Sequence, residues 1–360
     1  MVSVYVVSSE PYSGKTLTCL VLGARWQRRG LRVGYLKPLG LAPVTVENEV
    51  TDEDVPFVAA QFHVDAPLSR LCPVMLGSEL CHADPEALRA RVREAFVASS
   101  EGRDVMMIGG LGSVLSCGSA FGLAAPFLAE MLDANVVLVT RADSFLAMDS
   151  VVSAQQALGD RLTAVILNRV PKAERETIET RVIPCLAQRG VRVLGWLPDD
   201  PLLNSVSVRE IARVTGGELL CGQEQADQLV ENFVVGAMGM ESALRYFRQT
   251  ARKCVITGGD RVDIQFAALE TPTRCLILTG NLYPSHRVIT RATDRNVPVL
   301  LVREDTLTTV AVVEQLLGKQ RIREQTKLEH ALTQFESRLD LAALDAALGL
   351  PSPSAAAREA

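Results

Sequence analysis

Short β-branched runs alternate with amphipathic stretches through the first part of the chain. Strand patterns at residues 2–7, 32–36, 104–108, 135–139, 163–167 and 192–197 each end in a Gly, Pro, Asn or charged cluster, and helical patterns separate most of them. Runs that are apolar on both faces and alternate with helices predict an α/β fold, with a parallel sheet carrying helices on both faces. Such sheets bind ligands outside the carboxyl ends of their strands. That edge would gather residues 8–16, Lys37, residues 109–112 and 140–143, Asn168 and residues 198–200 around one site.

The pattern breaks at Pro198-Asp199-Asp200-Pro201. Beyond it a helix over 208–214 stops at Thr215-Gly216-Gly217, and apolar runs follow at 218–221, 233–235, 253–256, 275–278 and 297–302. These predict a second, smaller α/β domain. From Lys327 onward, Leu328, Leu332, Phe335, Leu339 and Leu344 recur at helical spacing, which predicts a helix that docks on a domain or a partner. The pattern thus divides the chain into 1–203, 204–318, a C-terminal helical segment 319–350 and a small polar tail, 351–360, expected to fray.

Composition narrows the classes. With 360 residues, 48% of them hydrophobic, the chain can bury two cores, and general disorder is excluded. A net charge of −5 with dispersed basic residues argues against a nucleic-acid partner. No apolar run approaches the ~20 residues that span a bilayer, so no membrane role is expected. Eight cysteines without a C-x-x-C pair, and a strand pattern starting at Val2 in place of a signal peptide, point to a reduced, cytoplasmic protein. Four histidines, none at ligand spacing, argue against zinc.

The chemistry concentrates at Ser8-Ser9-Glu10-Pro11-Tyr12-Ser13-Gly14-Lys15-Thr16, between the first strand and an amphipathic segment, 17–29, that ends at Gly30. Strand, Gly-Lys-Thr turn and helix form a phosphate-binding context. Backbone N–H groups converge on an anion, Lys15 adds positive charge, and the Thr16 hydroxyl can ligate Mg²⁺. The loop departs from the usual pattern twice. Ser9 stands where its first glycine would be, and Glu10 brings a negative charge towards the phosphates.

Further along come Lys37-Pro38, the acidic Thr51-Asp52-Glu53-Asp54, then Gly109-Gly110 and Asn168-Arg169. In this order the motifs resemble the dethiobiotin-synthetase-like branch of P-loop enzymes, over about residues 1–200. In the second domain, Thr257-Gly258-Gly259-Asp260-Arg261 and Leu278-Thr279-Gly280 resemble a DRTGG domain. The two in series look like the N-terminal region of long bacterial phosphate acetyltransferases, whose acetyltransferase domain has no room here.

The resemblance implies ATP and Mg²⁺ as cofactors. Ser13, Gly14, Lys15, Thr16 and Asn168 would hold the nucleotide, and Thr16 and Asp54 the metal. Lys15 and Lys37 would be catalytic if the site is active. Each assignment has a plainer reading. Lys37 could be a solvated lysine beside a turn, and Asn168 a turn residue. Thr51 and Asp54 fit a variant capping box, and Asp52 is the second candidate for the metal. Asp260, Arg261 and His286 could bind an anionic effector or simply belong to Gly-rich turns whose glycines take positive φ. The family places a metal-holding glutamate where this chain has Gly109, which has no side chain to ligate metal or orient water.

Phosphoryl transfer depends on positioning and electrostatics. The chain is therefore expected to be a nucleotide-binding regulatory protein with weak or lost ATP hydrolysis, coupled to a DRTGG-like domain that senses an effector or self-associates into a homo-oligomer. The alternative is an ATP-dependent ligase, resembling dethiobiotin synthetase, that activates a carboxylate or carbamate. A third reading is a scaffold whose loop Glu10 closes to phosphate.

Overall fold

The computed structural model describes residues 1–318 and 325–351. The fraying expected of 351–360 falls, apart from Pro351, outside the described residues, as do positions 319–324 of the C-terminal segment. The chain divides into two compact units, Met1–Asp199 joined by the segment from Arg321 onward, and Asp200–Gln320.

The first unit is built on six strands, β1 (Val2–Ser8), β2 (Val33–Leu36), β3 (Val105–Gly109), β4 (Ala134–Arg141), β5 (Leu162–Val170) and β6 (Val193–Pro198). Their order is β6-β5-β4-β1-β3-β2, and every pairing is parallel. Alternation along the strands sends Tyr5, Val7, Met106, Ile108, Val136, Leu138, Val165 and Leu167 to one face, where they pack with Leu88, Val92, Leu128, Val151 and Leu186 from flanking helices. Tyr35 and Met107 are paired in register and lie on the opposite face. That face is covered by helix α1 (Lys15–Arg28), which packs on β1, β2 and β3.

Helix α1 begins at Lys15 because Gly14 takes φ 108°, outside helical space, and leaves the first turn without a side-chain cap. It buries Leu17, Leu20, Val21, Leu22 and Trp26 at helical spacing. Fully buried leucines such as Leu20 and Leu22 stabilise the unit by about 1.5–3 kcal/mol each. Gly30, at φ 83°, supplies the left-handed residue that ends the helix.

Between β2 and helix α2 (Val55–Gln61) the chain makes an antiparallel hairpin, Pro43–Val46 with Glu49–Asp52. The sequence pattern had placed a helix start there. Thr51 is no N-cap: it lies in the hairpin, where its hydroxyl donates to Leu68 O at 3.1 Å. Asp54 is the residue before α2, and its side chain makes no cap bond.

In the second unit, β7 (Glu218–Cys221), β8 (Asn232–Val235), β9 (Lys253–Gly258), β10 (Thr273–Thr279) and β11 (Val299–Leu301) form a sheet in the order β7-β11-β10-β9-β8. It is parallel except for β7. Its Gly-rich turns do not all use positive φ. Gly280 does, at φ 79°. Gly259 is required by space instead, since a Cβ there would meet Leu282 O at 1.9 Å.

The C-terminal helices Gln325–Arg338 and Leu341–Ala347 belong to the first unit. The former packs on α1 and β6, and Asp340 N donates to Leu194 O at 2.8 Å. Asp345, almost fully buried, accepts from both terminal nitrogens of Arg25 (2.9 and 2.7 Å), from Trp26 Nε1 (2.9 Å) and from Arg29 Nη1 (2.7 Å). Burial opposes the Asp345 charge, but the Arg25 and Trp26 hydrogen bonds outweigh it and hold its carboxyl below the usual carboxylate range.

Asp345→Ala is expected to destabilise the protein by about 1–3 kcal/mol. The stranded guanidiniums of Arg25 and Arg29, 12% and 13% exposed, can recover water, so the loss stays below that of a fully buried pair. The folded pKa is depressed, so this stabilisation is present above the ordinary carboxylate range and is lost as pH falls through the folded value. Urea midpoints of wild type and variant should differ at neutral pH and converge in acid.

Candidate functional site

The carboxyl edge of the first sheet brings most of the singled-out residues together. The Ser8–Lys15 loop is organised by its own serines. Ser8 Oγ lies 2.5 Å from Glu10 O and 3.0 Å from Gly112 O, and Ser13 Oγ donates to Glu10 O at 3.0 Å. Ser9, in the place of the missing glycine, shares a hydrogen bond of 2.7 Å with Thr140 Oγ1 at the end of β4. The Glu10 carboxylate acts electrostatically on Arg169, just past Asn168 on β5.

Lys15 donates to Ser8 Oγ at 2.6 Å and to Gly112 O at 2.9 Å. Burial, with the nearby Lys37 charge adding to it, lowers its pKa to about 8. Such an ammonium gains from any anion that approaches it.

Beside it lies a second group built by the hairpin. Lys37, only 5% exposed, donates to Asp52 Oδ1 at 2.5 Å and to Asp54 Oδ2 at 2.7 Å. Burial works against its charge, but Asp54 and Asp52 overcome it and raise its pKa above the ordinary lysine value. The hydroxyl of Thr16 donates to the same Asp54 Oδ2 at 3.1 Å. Asp52 is committed to structure: its Oδ2 accepts from the N–H groups of Leu41 and Ala42 at 2.9 and 3.2 Å, and its Oδ1 from Asp54 N at 3.1 Å. Of the two aspartates, Asp54 is the one that meets Thr16.

Asn168 reaches the loop from two strands away. Its Nδ2 donates to Ser13 O at 2.8 Å, and its Oδ1 accepts from Arg169 N at 2.9 Å.

Sequence reasoning missed what stands at Gly109. A Cβ there would lie 2.8 Å from the hydroxyl of Tyr35. Tyr35 is buried on β2, packs edge-on against Phe62 at a ring separation of 6.2 Å, and leans towards the end of β3. Its pKa is raised well above the ordinary phenol value by burial first, then by Cys19 and Asp54. A neutral phenol therefore fills the space in which a carboxylate stem would begin. A bulky residue two positions before Lys37 was the available signal, but its reach to a neighbouring strand is a tertiary fact.

Residues 2–207 match the AAA_26 family, described as an AAA domain. The chain belongs to this family. Residues 210–316 of the same chain match the DRTGG domain. Among curated relatives, the phosphate acetyltransferase of Nitratidesulfovibrio vulgaris is 26% identical, the match covering 96% of this chain and 51% of the relative. That of a Synechocystis species is 24% identical, with 94% and 50% covered. The chain spans about half the length of these relatives. Two solved structures are similar in part. MinD from Pyrococcus horikoshii, complexed with Mg-ADP, is 20% identical over 56% of this chain and 83% of its own, with a TM-score of 0.36. The CBS and DRTGG domains of a Clostridium perfringens pyrophosphatase, complexed with diadenosine tetraphosphate, are 26% identical over 32% and 48%, with a TM-score of 0.28.

The contact between Tyr35 and Gly109 yields a direct test of packing. Gly109→Ala is expected to destabilise by about 1–3 kcal/mol through the clash with the phenol oxygen. In a Tyr35→Phe background, which removes that oxygen, the same substitution should cost clearly less. Denaturant midpoints of the four proteins give the coupling. Simple additivity would show that Tyr35 does not occupy the Gly109 space.

Proposed function

We propose that this chain is a nucleotide-binding regulatory protein. Its AAA domain holds an adenine nucleotide with Mg²⁺ and hydrolyses it slowly or not at all, and its DRTGG unit senses an effector or joins copies of the chain. The observation that carries the reading is the cluster at the start of α1: Lys15, Thr16, Asp54 and Lys37 gathered around an uncapped helix N-terminus with no acidic residue in its first turn.

The residues fit a magnesium ion of the phosphate-bound kind. The Thr16 hydroxyl and the Asp54 carboxylate are hard oxygen donors. Among the described residues no group of three His, Cys, Asp or Glu forms a metal cage, so phosphate oxygens and water would complete the shell. Bound there, the ion would neutralise phosphate charge. Lys37 supports weak turnover, since it already engages the carboxylate oxygen that Thr16 touches. The Tyr35 phenol supports it too, since a neutral group adds no negative charge beside the metal. The same proposal places the protein in the cytoplasm, consistent with its free cysteines.

The ligase reading has one observation in its favour. Lys37 beside Asp54 supplies a second cation where charge would develop on a transferred phosphoryl group. ADP formation with Mg²⁺ and a panel of carboxylates or amines separates the two: the regulatory reading requires nucleotide binding with little or no turnover. Robust steady-state hydrolysis that disappears in Lys15→Ala would count decisively against it.

The Lys15 pKa of about 8 adds a pH signature. A phosphate favours the protonated amine, so affinity for Mg-ATP should fall as pH rises through about 8, and binding above that pH should take up a proton. Calorimetry in buffers of different ionisation enthalpy should show this uptake in wild type. Lys15→Ala should abolish it and weaken binding roughly 10- to 100-fold.

A further inference from the structure

The peptide between Ser13 and Gly14 is anchored from outside the loop. In a trans peptide the C=O and the following N–H point in opposite directions. Because Ser13 O is turned onto Asn168 Nδ2 at 2.8 Å, Gly14 N–H must face the other way. The Asn168 amide is itself fixed, since its Oδ1 accepts from Arg169 N at 2.9 Å and Arg141 of β4 is paired in register with it. Gly14 is the complement to this anchor. It stands at φ 108°, and a Cβ on it would lie 2.5 Å from Asn168 Nδ2. Only a residue without a side chain lets the amide come so close.

We propose that Asn168 is a positioning residue for the phosphate loop. By holding Ser13 O it presents Gly14 N–H, together with the first-turn N–H groups of α1, to the ligand's phosphates. The inference rests on the phosphate-binding reading of the loop and deepens it. Asn168 acts on phosphate through Ser13 and Gly14, and recognition of the base is not its task.

Asn168→Asp tests this with nearly unchanged shape, because it replaces the donor facing Ser13 O by a carboxylate oxygen. The probes are tripolyphosphate, which has no base, and Mg-ATP, measured by calorimetry on the full chain. At neutral pH, N168D should bind both more weakly by a common factor of about ten or more. As pH falls through the carboxylate range the acid regains an O–H donor, and affinity for both probes should recover relative to wild type. N168A should show no such recovery. If N168A does not fold, the two pH values on N168D alone carry the comparison. Loss confined to ATP would make Asn168 a base-reading residue and overturn the proposal.

A ligand-free readout separates this inference from the reading beneath it. Amide exchange of Gly14, Lys15 and Thr16 should be faster in N168D than in wild type at neutral pH, and unchanged exchange would overturn the clamp. Wild-type protein that binds neither probe would instead bring down the phosphate-binding reading, with the exchange experiment still deciding on the clamp.

Discussion

Burying a charged lysine ammonium is costly unless opposite charge meets it, and the local architecture around Lys37 answers that cost. Lys37 leaves the end of β2 into an environment that largely excludes water, and two carboxylates meet it there. The hairpin supplies them. Asp52 comes from its second strand and is fixed by backbone N–H groups at Leu41 and Ala42, while Asp54 follows it into α2. With Asp52 committed to the hairpin and to Lys37, Asp54 is the carboxylate that reaches Thr16. One buried cation therefore divides two neighbouring aspartates into a structural and a site-facing member.

The sheet, and the gathering of the chemistry-bearing strand ends along one of its edges, were legible because both rest on short-range patterns. Strands apolar on both faces, separated by amphipathic helices, leave few arrangements other than a covered parallel sheet. Chemistry at the strand ends then falls on one edge. Within the acidic cluster only the cap at Thr51 failed: the helix does follow Asp54 at Val55, but the pairing of Glu49–Asp52 with Pro43–Val46 is a hairpin choice that local propensity does not decide. The partner of Gly109 was illegible for a related reason. Tyr35 lies far from it in sequence, and only the register of β2 with β3 brings them together.

The C-terminal helices show the same limit in another form. Helical spacing of Leu328, Leu332, Phe335, Leu339 and Leu344 announces an apolar face but not what covers it. The decisive contact is polar: Asp345, buried against Arg25, Trp26 and Arg29 on α1. A carboxylate with several specific donors selects one docking position, which a greasy face alone would not. The helix that opens at the phosphate loop is thus held at its far end by the helix Leu341–Ala347.

The loop residues Ser9 and Glu10 do not weigh equally with Gly109. Ser9 is accommodated by Thr140, and the Glu10 backbone by the serine hydroxyls on its carbonyl. None of this removes the means of holding phosphate. Gly109 is different in kind, because Tyr35 fills the space and remains a neutral phenol there. A hydrogen-bonding group can still orient a ligand or a water, but it cannot supply the negative charge that a carboxylate would bring to a metal-bound phosphate. On the proposed reading, affinity would rest mainly on the cations and N–H groups of the loop, which this chain has. On the same reading, rate would depend on how charge is distributed where the bond breaks, and the neutral phenol beside Gly109 supplies no carboxylate there.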